Sequence, residues 1–262
     1  MRTLALDVGN TSVAAALFEG PAESEESVES SVTRHEVRGV DPVADLAAWV
    51  GFASAQRADR IVVGSVHRFG AALAAALAAD RTTPVRHFAD GSDFPIALDG
   101  VDRAQVGVDR LAAALAAATL SGSGALVVSA GTAITVDWVD ASRTFRGGAI
   151  VPGRRLQSRA LHQFTDRLPQ IELWNESTPL PLPGRDTRSA IRSGLDHGIP
   201  GMVVALLEGL ARAAGPLPIF VTGGDAGWLA ARLGTDGDPS RPRLAPFLVA
   251  RGLALALQAP TR

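Results

Sequence analysis

The stretches "LALDVGNTSVA" (4–14) and "LVVSAGTAITV" (126–136) can be laid over one another, and this echo constrains the fold more than any other feature of the chain. Each is a run of small apolar residues, a glycine turn and a second apolar run, so each reads as two strands joined by a tight corner. The overlay sets Gly9 on Gly131, Asn10 on Thr132 and Asp7 on Ser129. One copy alone reads as a plain hairpin. Two copies, one near the start of each half, point to duplicated lobes over 1–120 and 121–262 that present two turns to one cleft. Backbone N–H groups in such turns, helped by small hydroxyl and amide side chains, can hold phosphate oxygens.

The intervening segments alternate as an α/β architecture requires. "PVADLAAWVGFA" carries Val43, Leu46, Ala47 and Val50 at helical spacing, "RIVVGSV" (60–66) is a strand, "FGAALAAALAA" a helix and "PVRHF" a short strand. The glutamate-rich "EGPAESEESVESS" (19–31) reads as a solvated loop. A long helix is predicted from near Gly107, because Val108, Leu111, Ala112, Leu115 and Thr119 share one stripe while Asp109 and Arg110 lie off it in the first turn. "SGSG" (121–124) reads as a linker. Further on, "TFRGGAIVPG" turns sharply into a helix near Arg154, and "NESTPLPLPGRD" is a Pro-rich loop. A helical region from Thr187 is expected to break near "HGIPG" and resume through Leu210. "PIFVTGGDAGWLAARL" gives a strand, a Thr-Gly-Gly turn and a helix, and an apolar helix at 246–258 closes the chain.

Composition removes whole classes of chemistry. All 25 basic residues are arginine, so the P-loop lysine, the protein-kinase strand lysine and Schiff-base mechanisms are absent together. No cysteine occurs, which removes thiolate nucleophiles, disulfides and Cys-ligated zinc and fits a reducing compartment. The five histidines show no metal-binding spacing, and neither G-x-S-x-G nor G-x-G-x-x-G occurs. A net charge of −2 offers no basic surplus for nucleic acid or acidic membranes. The amino terminus lacks the h-region of a signal peptide, and "LAAALAAATL" falls short of the roughly 20 residues of a membrane span, so the cytoplasm is the expected location.

In their order along the chain, "DVGNT", "VGVDR" (106–110), "SAGTAITVD" (129–137), "FRGGAIVPG", "RLPQIEL", "DTRSAIRSG" and "VTGG" (221–224) resemble the type III pantothenate kinases. These belong to the acetate kinase, sugar kinase, Hsp70 and actin group. The resemblance implies two ribonuclease H-like, actin-like ATPase lobes with mixed sheets flanked by helices. It further implies ATP-dependent phosphorylation of pantothenate to 4'-phosphopantothenate, the first step toward coenzyme A, and a homodimer. Residues matching the family's nucleotide site are Asp7, Val8, Gly9, Asn10, Thr11, Ser12, Val13, Ala14, Thr132, Gly223 and Gly224. Asp109 matches the family's catalytic aspartate, and Gly107, Val108, Asp109, Arg110 and Thr187 match positions that contact pantothenate.

These residue types suit the chemistry. Phosphoryl transfer needs the polyphosphate held, its charge offset by Mg²⁺ and an acceptor hydroxyl placed in line. Asp7 would reach Mg²⁺ through bound water, Asp109 would take the hydroxyl proton, and Arg110 could pair with the substrate carboxylate. Read alone, Asp109 equally favours a helix amino terminus, Arg110 a surface ion pair and Thr187 a helix N-cap. Ser129 departs from the family pattern, which has an aspartate binding a monovalent cation such as K⁺ or NH4⁺; serine keeps an oxygen and loses the charge. Tyrosine is absent, so any pantothenate-binding tyrosine of relatives is replaced here, with Phe94 as the candidate. Two rivals stand beside the kinase: a non-catalytic relative with a regulatory or accessory role, and an enzyme of the same superfamily acting on another small molecule.

Overall fold

The apolar runs flanking Gly9 pair with one another. In the computed structural model, which describes residues 1–20, 22, 29–36, 42–79, 82–172, 179–233 and 242–258, β1 (Arg2–Val8) and β2 (Ser12–Glu19) form an antiparallel hairpin with Asp7 opposite Ala14. Strand alternation puts Leu4, Leu6 and Val8 on a face that packs with Trp49, Leu73 and Leu77, and leaves Asp7 on the other. β3 (Glu29–Glu36) extends the sheet antiparallel to β2, while β4 (Arg60–Ser65) and β5 (Val85–Phe88) extend it in parallel beyond β1. The resulting order is β3-β2-β1-β4-β5. Two helices fall where the spacing predicts them, α1 (Pro42–Ala55) and α2 (Arg68–Ala79).

The loop predicted over 19–31 is cut short. Residues 21 and 23–28 lie outside the described residues, but Glu29, Ser30 and Ser31 open β3. An unpaired β2 edge would leave a row of backbone N–H and C=O groups without partners, and a polar strand can satisfy them as well as an apolar one.

The second sheet combines β6 (Ala97–Leu98), β7 (Ala125–Ala130), β8 (Ala133–Val139), β9 (Thr144–Pro152), β10 (Ile219–Thr222) and β11 (Arg243–Leu244) in the order β11-β10-β7-β8-β9-β6. Its run β9-β8-β7-β10-β11 repeats the order of the first sheet, with β10 parallel to both β7 and β11. The echo in sequence is thus an echo in topology.

The predicted stripe of α3 (Val108–Ser121) is buried at Val108, Leu111, Ala112 and Leu115. "SGSG" both caps and links: Gly122 ends α3 in the left-handed region at φ 63°, and the first of the chain's divisions between its two compact units falls between Ser123 and Gly124, just ahead of β7. α4 (Arg154–Gln163), α6 (Ala226–Leu233) and α7 (Leu248–Ala256) lie where the sequence places them. The break expected near "HGIPG" does not occur, and α5 runs unbroken from Thr187 to Ala214. Pro200 costs the helix one N–H donor, yet Leu195, Ile199, Pro200 and Val203 are all buried, and packing along that face holds the segment together.

The chain groups into two compact units, one of Met1–Ser123, Val139–Gly147 and Phe247–Arg262, the other of Gly124–Trp138 and Gly148–Pro246. In the first, α3 packs on α7, and α7 packs on β1, β2 and β4. Among the described residues no helix is long and apolar enough to cross a membrane.

Candidate active site

In the first unit, the turn after β1 is closed by the Gly9 N–H, which donates to the Ser12 carbonyl at 2.9 Å. Asn10 and Thr11 are exposed at its tip, Asp7 and Ser12 are half-buried, and the side chains of Val8, Val13 and Ala14 are in the core. Asp7 pairs with Gly64 of β4, so the two share a face of the sheet. Leu253 of α7 fills the space over Gly64 on that face, and α3 packs on both α7 and β4. Asp7 therefore stands on the face of the first sheet that α7 covers, and the helix that begins with Asp109 in its first turn packs on α7. Val66 links them further: its N–H donates to the Val8 carbonyl at 3.2 Å, and a Cβ on Gly107 would lie 3.3 Å from its Cγ1.

Gly107 is the N-cap of α3, and Asp109 stands in the first turn. The Arg110 N–H donates to Asp109 Oδ1 at 2.9 Å. Burial raises the Asp109 pKa above the ordinary carboxylate value, because the ionised form loses its hydration; that amide and the Arg110 charge oppose the shift without cancelling it. The Arg110 guanidinium lies over the Phe145 ring, 5.4 Å from its centroid. Ahead of α3, Arg103 donates to the carbonyls of Gly91 at 3.1 Å, Phe94 at 2.9 Å and Ile96 at 2.7 Å, pinning the preceding loop. Phe94 is in the core, edge-on to Phe88 at 5.1 Å between centroids.

In the second unit, Gly131 N–H donates to the Ala133 carbonyl at 3.0 Å, a closure one residue shorter than that of Gly9. Ser129 pairs with Thr222, so the Thr-Gly-Gly turn leaves β10 beside the end of β7. Ser129 Oγ is buried and has no hydrogen-bond partner among the described residues. Gly223, at φ 99°, sits so close to Ala130 that a Cβ would strike its carbonyl oxygen, while the Asp225 N–H donates to that oxygen at 2.9 Å. Gly224 is exposed beside it. Ser129, Thr132, Gly223 and Gly224 are thus brought together within one unit.

Thr187 is not the N-cap of α5. Asp186 is, accepting from the Ser189 N–H at 3.0 Å while Ser189 Oγ accepts from the Asp186 N–H at 3.1 Å. The exposed Thr187 instead lines a hollow of about 490 Å³ with Gln157, Leu161, Leu168, Ile191 and Leu195.

A profile of the family described as type III pantothenate kinase matches residues 3–209. The type III pantothenate kinase of Alkalilimnicola ehrlichii is 34% identical over 261 residues, covering 96% of each chain. This chain belongs to the type III pantothenate kinase family. The Rhodopirellula baltica type III pantothenate kinase is 40% identical over 169 residues, 63% of this chain and 59% of that protein. The chain accordingly spans about half the length of several curated family members that it matches.

Among solved structures, one from Campylobacter jejuni described as of the Baf family of transcriptional activators shares 19% identity at a TM-score of 0.59, covering 97% of each chain. The ROK hexokinase of Thermus thermophilus shares 18% at 0.53, covering 98% of this chain and 97% of its own. At such identities the likeness shows the fold alone, and it is the mixed α/β fold of actin-like ATPases and ROK kinases expected of the family.

Two sets of residues around the family's motifs escaped the sequence. Arg103 carries no local motif, and its carbonyl partners lie 7, 9 and 12 residues away. Arg154 is paired with Asp225, 71 residues distant. Only the adjacency of each to a glycine motif, "VGVDR" for one and "VPGRR" with "TGGD" for the other, hinted at a role.

Proposed function

We propose that the chain transfers the γ-phosphoryl group of ATP to the primary hydroxyl of pantothenate, giving 4'-phosphopantothenate and ADP. The observation that carries this reading is Asp109. In a chain of this family it is a largely buried carboxylate of raised pKa, at the start of a helix that packs on α7, which covers the sheet face of Asp7. The acceptor oxygen attacks the γ-phosphorus, the bond to the β-phosphate oxygen breaks, and the hydroxyl proton passes to Asp109 Oδ2 or Oδ1. A raised pKa improves the match between base and proton, since an ordinary carboxylate is a weak acceptor at neutral pH. Arg110 is assigned to the substrate carboxylate, with Gly107, Val108 and Thr187 as further contacts of pantothenate. Val8 to Ala14, Thr132, Gly223 and Gly224 are assigned to ATP; Val13 and Ala14, buried at the side chain, can act only through their backbone.

The donors fit Mg²⁺. Among the described residues no cluster of three or more His, Asp or Glu side chains could hold a metal alone, and Asp7 offers one carboxylate beside a turn of N–H donors. Mg²⁺ takes such sites by keeping several waters and binding phosphate oxygens. Bound there, it offsets phosphate charge during transfer. Ser129 Oγ, buried and without a hydrogen-bond partner among the described residues, fits an oxygen ligand for K⁺ or NH4⁺ without supplying charge, so cation dependence should be weak.

Mass spectrometry of the product from ATP and pantothenate, in potassium, ammonium and sodium salts, tests the assignment. Absence of 4'-phosphopantothenate in every salt, from folded protein, would overturn it, and reaction of a different alcohol or acid would move it to another substrate. Ser129 also favours a second reading, an accessory protein that binds ATP without turnover, which the same assay separates. We further infer a homodimer in the cytoplasm. Leu156 and Phe164 of the α4 region, 43% and 80% exposed, offer apolar surface for a second copy. Light scattering that returned a monomer would remove that inference.

A further inference from the structure

Arg154 is the first residue of α4 and is only 3% exposed, an unusual place for a guanidinium. Its NH2 group donates to Asp225 Oδ1 at 2.7 Å, and its guanidinium carbon lies 4.8 Å from the centroid of the Trp228 ring. Trp228 is also approached by Arg232, at 4.5 Å, and Arg232 is paired in turn with the buried Asp196 at 2.8 Å. Asp225 follows directly on Gly223 and Gly224, so one end of this network is the Thr-Gly-Gly turn.

The other end reaches the Gly131 turn. Gly153, the N-cap of α4, donates its N–H to the Thr132 carbonyl at 2.9 Å and sits so tightly that a Cβ would strike the Gly131 carbonyl oxygen. Position 153 is thus stitched by backbone to one turn, and position 154 by side chain to the other. We propose that Arg154 is a positioning residue for nucleotide binding, which locks the Gly131–Thr132 and Gly223–Asp225 turns of the second unit into one rigid cradle. Arginine suits the task because its planar fork bonds a carboxylate while its face stacks on an indole. Removing it leaves the partly buried Asp225 carboxylate without this cation beside the Thr-Gly-Gly turn.

The proposal deepens the assignment of these turns to ATP and rests on it. The experiment is isothermal titration of Mg-ATP, with steady-state KM values for ATP and pantothenate, on wild type, Arg154→Met, Arg154→Lys, Asp225→Asn and the Arg154→Met/Asp225→Asn double variant. Arg154→Met and Asp225→Asn should each weaken ATP at least tenfold while the KM for pantothenate moves less than twofold. Arg154→Lys, which keeps the charge, should recover part of the loss, and the double variant should be no worse than the poorer single one. Lys, which keeps the charge, and Asn, which keeps the volume, still report if the Met variant fails to fold. Wild-type protein that bound no ATP would sink the assignment of the turns and this proposal with it. Wild-type binding with unchanged ATP affinity in the folded variants, or parallel losses for ATP and pantothenate, would overturn the role of Arg154 and leave the assignment standing.

Discussion

The turn after β1 and the turn after β7 follow one plan, the second being one residue shorter. Gly9 donates its N–H to the carbonyl three residues on, Ser12, at 2.9 Å, Gly131 to the carbonyl two residues on, Ala133, at 3.0 Å, and each first strand has a parallel neighbour, β4 or β10. They differ in what stands two residues ahead of the glycine. The first has the carboxylate of Asp7 paired with a glycine, Gly64; the second has the neutral Ser129 paired with Thr222. They differ again in how they are fastened, the first through Val66 toward the Asp109 helix, the second through Gly153 and Gly223 to two further turns. The two corners have a glycine N–H closure in common, while loop length and charge diverge. The charged corner is suited to a metal and a proton acceptor, the neutral one to phosphate or nucleotide held by amides.

The largest effect expected is on the charged side. Asp109→Asn should fold normally yet lose on the order of 10²–10⁴ in turnover, measured by coupled assay with circular dichroism as control. Near-normal rates would show that the base is elsewhere and that the corners do not divide the work this way. Asp7→Asn should come next, raising the Mg²⁺ needed for half-maximal rate roughly tenfold or more, as loss of a metal-facing charge predicts. An unchanged magnesium titration would erase the contrast between the corners. Ser129→Asp should make the second corner resemble the first, turning a flat potassium response into activation of several-fold, whereas Ser129→Ala should change stability by no more than about 1 kcal/mol because the hydroxyl has no hydrogen-bond partner among the described residues to lose.

The smallest effect is a pH effect. Asp109 titrates above the ordinary aspartate value of 3.8, so the native state keeps this proton when the unfolded chain has lost it. Its contribution to stability is therefore favourable at low pH and falls as pH rises from 3.8 through the raised native value. Asp109→Asn should then raise the melting temperature slightly at pH 7 and lose that advantage in acid, seen in melts across pH. The acid limb of kcat/KM should likewise lie above the ordinary carboxylate range.

Legibility in the sequence followed the range of the forces. Both hairpins, α3 with Asp109 in its first turn, and the strand, turn and helix around Gly223 rest on patterns within a dozen residues, and all were readable. Less readable were elements decided by partners far along the chain. "ESSVTRHE" has no apolar alternation, and becomes β3 only because β2 offers an edge. Pro200 argues locally for a break, and the buried face of α5 overrules it. Thr187 and Asp186 are both sound caps by composition, and the reciprocal bond with Ser189 selects Asp186.

What the sequence determined by itself was the repeated strand, glycine corner and strand, the absence of lysine and cysteine chemistry, and the few carboxylates left to do the work. Those follow from side-chain periodicity, turn chemistry and residue inventory, which need no knowledge of distant neighbours. The tertiary structure alone decided that α7, last in the chain, covers the first sheet on the face of Asp7, that Asp109 is buried enough to raise its pKa, and that Arg154 meets Asp225. Desolvation and ion pairing act through space, and no local pattern records which surfaces will close over a charge.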